Sequence, residues 1–233
     1  MFGTDLSGKL EELITHGAVK LDSVKETSWR QGIYDACLNE IGKKSYGENL
    51  PANLKFLEVS GILNTLLPKL ITIAQQNFST NVSAPDLYNV CRLVRPGDTS
   101  EGFRGHFDSH LFTLVTPINI PSSMLSDQDC GQLHYFPKSR KQPRSEIENV
   151  LGKLAYKRLN SESGFDKLGQ STSRVVDTFE DYRPLLFLGN TTFHGNSPIS
   201  LSFKENRMTI LTHFFDPSSK FGVGALMRRI RRR

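Results

Sequence analysis

Apolar positions change their period more than once along this chain. From Ser28 to Ile41, and again in Val59, Ile62, Leu63, Leu66, Leu67, Leu70, Ile71 and Ala74, they recur every three or four residues, as on one face of a helix. Upstream, "LEELITHGAVKLDSV" reads as a short helix stopped at Gly17 and followed by a strand over 18–21. Pro68 lies inside the second periodic run, where a missing backbone donor should kink the helix or split it. After the loop "STNVSAP" the texture turns to short apolar strands: 86–94, 110–118 beyond an "RPGD" turn, 184–189, 197–203 and 207–215. Between them, 119–145 is loop-like with one strand in "GQLHYFP". Residues 146–159 return to helical spacing, with Ile147, Val150, Leu151, Leu154, Ala155 and Leu159 on one side.

Helices first, then many short strands with one helical insertion, predict an α+β chain built as a jelly-roll or cupin-like barrel flanked by N-terminal helices. At 233 residues and 37% apolar composition a single domain is expected. Its parts are a helical flank over 1–83, a barrel core over 84–216 and a basic tail over 217–233. The stretch 118–184, rich in Lys, Arg and Ser, is read as an insert that acts as lid and substrate-recognition region. No internal repeat is visible.

Charge adds little to the body and much to the end. The formal net charge is +5, yet Arg228, Arg229, Arg231, Arg232 and Arg233 account for it, leaving 24 basic against 24 acidic side chains. Such a tail either touches nucleic acid, anionic membrane or an acidic partner, or is a frayed solubilising terminus. Cys37, Cys91 and Cys130 are scattered and odd in number, which disfavours a disulfide framework. With no signal-like or membrane-spanning run, a cytoplasmic location is expected and the sequons at Asn77, Asn81 and Asn190 carry no weight.

The chemistry concentrates in "GFRGHFDSHLFTLVTP". Read as a strand, it puts His106 and Asp108 on one face, an imidazole beside a carboxylate at the mouth of an apolar run. His194, at the end of the apolar stretch "LLFLGNTTFHG", completes two histidines and one carboxylate, the facial set that leaves positions open on Fe(II). Further on, Arg207 and Thr209 share a strand face. No acidic side chain in that strand can pair the guanidinium, so a small dicarboxylate is the expected partner, held bidentately with help from the hydroxyl.

The ordered set His106-x-Asp108, His194, Arg207-x-Thr209 resembles the Fe(II)/2-oxoglutarate-dependent oxygenases, over roughly 84–215. That resemblance implies a double-stranded β-helix with Fe(II) held by His106, Asp108 and His194, and 2-oxoglutarate and O2 as cosubstrates. It implies a dioxygenase that forms succinate and CO2 while oxidising, usually hydroxylating, a small-molecule or amino-acid-like second substrate. Arg207 and Thr209 would bind the far carboxylate of 2-oxoglutarate. Lys204 competes for that role by its spacing from His194, but its strand parity points it to solvent. Tyr88 and Arg92 share a face that either binds 2-oxoglutarate or an anionic substrate or is simply exposed, and Arg104, which flanks the site, is expected with Arg92 to contact the substrate. His110 is a substrate contact or a strand-edge histidine, His213 lines the barrel or sits hydrogen-bonded in a core, and His134 is the rival metal ligand. Two other classes stay open: a cupin-type metalloenzyme without 2-oxoglutarate, and an inactive barrel that binds anionic partners.

Overall fold

The computed structural model describes residues 5–22, 28–78, 87–99, 102–121 and 130–217. The residues 218–233, with the arginine tail, and the sequon at Asn81 lie outside them. The first helix, α1 (Leu6–His16), is capped by the Asp5 carboxylate, which accepts from Gly8 N–H, and ends at Gly17 with φ of 86°. After β1 (Ala18–Lys20) come α2 (Ser28–Ile41), β2 (Tyr46–Glu48), α3 (Pro51–Ser60), a π-helical turn over Ile62–Leu66 and α4 (Leu67–Asn77). The helical run breaks by 54° after α3, at Gly61 with φ of 72°, and not at Pro68. Pro68 sits in the first turn of α4, where a missing N–H costs no helical hydrogen bond. Among the described residues no single helix is long and apolar enough to cross a membrane.

The strands follow as β3 (Leu87–Val94), β4 (Phe112–Asn119), β5 (Leu133–Phe136), β6 (Val175–Asp177), β7 (Leu185–Leu188), β8 (Phe193–Asn196) and β9 (Arg207–Phe214). Helices α5 (Glu146–Tyr156) and α6 (Glu162–Gly169) lie between β5 and β6. Six strands form one antiparallel sheet in the order β1-β7-β4-β9-β3-β2, and three form a second in the order β6-β5-β8. The stretch read as an insert thus supplies two strands of the second sheet besides its helices.

Side-chain alternation assigns each face of the large sheet a different neighbour. Phe112, Leu114, Leu186, Met208, Ile210 and Phe214 pack with α1 to α4 in one apolar core. On the other face Val115, Leu185 and Phe187 meet Leu133 and Tyr135 of the second sheet, with Phe179 filling the layer.

Two expected strands are corrected. The segment 197–203 alternates in sequence yet is a turn with a single bridge, Cys130 to Ile199, and its Leu201 is 82% exposed. With no partner strand among the described residues the alternation has nothing there to pair with, and the strand of this region is β8, which begins after the turn at 189–192 and contains His194. The "HFD" segment is likewise no regular strand: β4 starts only at Phe112.

Candidate metal centre and its cavity

A single antiparallel rung joins the two histidine segments. His106 N–H donates to His194 O at 2.9 Å and His194 N–H to His106 O at 3.1 Å, which sets the two rings 4.4 Å apart. Asp108 is fixed separately, its N–H donating to Gly189 O at 3.0 Å. A side chain at 189 is impossible there, because a Cβ would meet Thr113 Oγ1 at 2.8 Å and Asp108 Cβ at 3.0 Å. One donor atom from each of His106, Asp108 and His194 lies within 4.8 Å of the others, with His106 Nε2 at 3.6 Å and His194 Nε2 at 3.7 Å from the carboxylate.

The orientation of these donors suits a metal. His106 Nδ1 faces Arg104 O and His194 Nδ1 faces Thr192 O, both at 3.1 Å. A carbonyl only accepts, so each Nδ1 carries the proton and each Nε2 turns its lone pair to the centre. Desolvation, followed by the charge of His194, pushes His106 down to about 4, although 46% of its side chain still meets solvent. Desolvation also lowers His194. Neutral imidazoles are the ligand form. Desolvation would raise Asp108, but His194, His213 and His106 and a 2.5 Å hydrogen bond from Thr113 Oγ1 outweigh it and keep the carboxyl well below its usual range. Thr113 Oγ1 in turn lies 3.0 Å from His213 Nδ1 and, having given its own proton to Asp108, accepts from that ring.

A cavity of ≈ 180 Å³ opens beside the triad, lined also by Val90, Arg92, Asn196, Arg207, Thr209 and His213. Arg207 enters from β9, 2% exposed, with its Cζ 5.5 Å from the centre of the Phe179 ring. Among the described residues its Nε and Nη2 have no hydrogen-bond partner. Burial, then the charge of Arg92, pulls its pKa down to about 10, so the guanidinium is still charged at neutral pH. Two buried, charged donors without acceptors are costly, and an anion of matching fork geometry relieves them.

The other expected residues fall in four places. Arg92 lines the cavity, opposite Thr209 in the β3–β9 register. Tyr88 and His110 form a stack with His213, at 5.7–5.9 Å for Tyr88 and 5.0 Å between the two histidines. The Arg104 side chain is exposed, while its carbonyl orients His106. Lys204 is exposed as well. His134 points to the opposite side of β5, against Phe103 and Phe165, with Arg174 donating to its Nδ1. Thr113 was not singled out by the sequence; its only trace there is a hydroxyl at an inward position of a largely apolar strand.

No family model matches the chain, and no curated protein matches it. Solved structures do. A prolyl-4-hydroxylase of Pseudomonas putida aligns with a TM-score of 0.54 at 14% identity over 91% of this chain and 100% of its own. EvdO2 of Micromonospora carbonacea var. aurantiaca, complexed with 2-oxoglutarate, gives 0.54 at 15% identity, covering 95% of this chain and 96% of its own. The non-heme alpha ketoglutarate dependent carbocyclase SnoK from nogalamycin biosynthesis gives 0.52 at 15% identity over 98% and 93%. At such identities the likeness is one of fold, and this chain has the fold those proteins share.

Proposed function

We propose that the protein is a non-haem Fe(II)/2-oxoglutarate-dependent dioxygenase, built as a double-stranded β-helix, that hydroxylates a small-molecule or amino-acid-like substrate. The observation that carries this reading is Arg207: a buried guanidinium with two unpartnered donors, in the same small cavity as two imidazoles and a carboxylate with their donor atoms converged. EvdO2 complexed with 2-oxoglutarate and the alpha ketoglutarate dependent SnoK, both similar in fold, support it.

In this reading His106 Nε2, His194 Nε2 and an Asp108 carboxylate oxygen would hold Fe(II). Bound there, the metal supplies redox chemistry with O2 that couples oxidative decarboxylation of 2-oxoglutarate, to succinate and CO2, with oxidation of the second substrate. The rest is done by side chains. Arg207 forks the far carboxylate of 2-oxoglutarate, Thr209 Oγ1 donates to it, and together they fix which end points to the triad. Thr113 restrains one Asp108 oxygen, and the two backbone acceptors keep both rings from turning. Val90, Val115, Leu133 and Leu211 keep the cavity walls apolar and strengthen the ion pair inside. The test is iron-dependent release of succinate from 2-oxoglutarate by the purified chain under air. Succinate that requires Fe(II) and disappears in Asp108→Ala is expected; release unaffected by that change, or none in the wild type with any candidate substrate, would overturn the reading.

A further inference from the structure

Helix α5 shows water its apolar side. Ile147, Val150, Leu151 and Leu154, at i, i+3, i+4 and i+7, are 40–70% exposed, and no residue of α5 is fully buried. The side that meets the body is polar and aromatic instead. Arg140 donates to Asn149 Oδ1 at 2.7 Å, Lys153 Nζ donates to Ser109 Oγ at 2.9 Å, and Tyr156 packs edge-on against Phe107 at 4.8 Å. A helix that packs on a core is the reverse of this. Four clustered aliphatic side chains in water mark an interaction surface.

Charge narrows what covers it. Residues 138–158 hold seven Lys or Arg and two Glu, whereas the rest of the chain ahead of the arginine tail is net acidic. Lys141 and Arg144 precede the stripe and Lys157 and Arg158 follow it, all four exposed. A second copy of this face, or the chain's own arginine tail, would bring like charge against like. An occupant must therefore be anionic around an apolar interior, and a single convex helix matches a planar fluid layer better than it matches a folded partner, which would need a groove to receive it. We propose that α5 is an interfacial helix that seats the protein on an anionic lipid surface. The four aliphatic side chains enter the acyl boundary and the four basic ones rest among the headgroups. The proposal does not rest on the oxygenase reading; if both hold, the anchoring of α5 at Ser109 and Phe107, on either side of Asp108, brings the lipid layer close to the cavity.

The experiment is co-sedimentation of the full chain with phosphatidylcholine vesicles, with and without phosphatidylserine. The wild type is expected to sediment with the anionic vesicles and to release as salt rises. The triple change Ile147→Ser, Leu151→Ser and Leu154→Ser lies on exposed positions and should keep its circular dichroism while binding at least about tenfold more weakly. Deleting 227–233 should leave binding that the triple change still removes. Three results would overturn the proposal: no vesicle binding by the wild type, wild-type binding in the triple variant with loss only on removing the tail, or a wild-type dimer that the triple change turns into a monomer.

Discussion

Along β9, Met208, Ile210, Thr212 and Phe214 point into the helical layer, while Arg207, Thr209, Leu211 and His213 point between the sheets, and the two sides follow different rules. On the helical side apolar groups meet apolar groups, and burial stabilises the fold. On the inner side the strand buries a guanidinium with two unpartnered donors, together with a histidine, at a cost to the same fold. The contrast separates what holds the protein together from what it is for. It also predicts that neighbouring residues on one strand respond in opposite ways.

Phe112 and Thr113 test this on β4. Phe112 is fully buried on the helical side, so Phe112→Ala should lower stability by about 3–5 kcal/mol and leave metal affinity per folded molecule unchanged. Thr113→Val keeps the shape but removes the hydroxyl that restrains Asp108, so metal affinity should fall about ten- to a hundredfold while the protein stays folded. Denaturant unfolding and metal titration on both variants check the pair. If Thr113→Val bound metal like the wild type, the hydroxyl would be ordinary core filling and the contrast would weaken at this position.

The second sheet repeats the contrast on β5, where Tyr135 turns inward beside His194 and His134 turns outward beneath α6. Desolvation first, and then Arg174, push His134 down to about 4, with Asp166 opposing. A histidine depressed in the folded state is stabilising in its neutral form. Its contribution is complete above the unfolded pKa near 6.5 and is lost as pH falls from there toward 4, by up to about 3 kcal/mol. His134→Gln retains an acceptor for Arg174 and should remove this part of the acid sensitivity. Between pH 7 and about 4 the wild type should then lose stability relative to the variant; parallel curves would place the acid sensitivity elsewhere.

How far the sequence revealed this arrangement follows from the range of each signal. His106, Asp108, His194 and Arg207 could be gathered because each is a polar group at the border of an apolar run, an anomaly visible without knowing its neighbours, and Thr209 because it shares a strand face with Arg207. Thr113 could not, since a threonine in a strand is ordinary and its role comes from Asp108 and His213, which the fold brings to it. The alternation over 197–203 misled because it records only side-chain parity, and a strand also needs a partner edge, which β8 supplied elsewhere. Pro68 was a genuine breaker assigned the wrong position: the bend fell at Gly61, where positive φ is free, and the proline settled into the first turn it tolerates. The periodicity of 146–159 gave a helix correctly but could not say which way its apolar side faces, because the pattern is the same for a core and for a docking surface.

The most direct test of the inner side is titration of 2-oxoglutarate into anaerobic, Fe(II)-loaded protein, comparing wild type with Arg207→Met by the charge-transfer absorption or by heat. Methionine fills much of the same volume without a charge to bury. The account predicts about a hundredfold weaker binding or worse, since a charge-assisted, bidentate pair is lost, with iron still bound and with stability in the absence of ligand equal to or above that of the wild type. Undiminished 2-oxoglutarate affinity in Arg207→Met would contradict it and remove the dicarboxylate from the cavity.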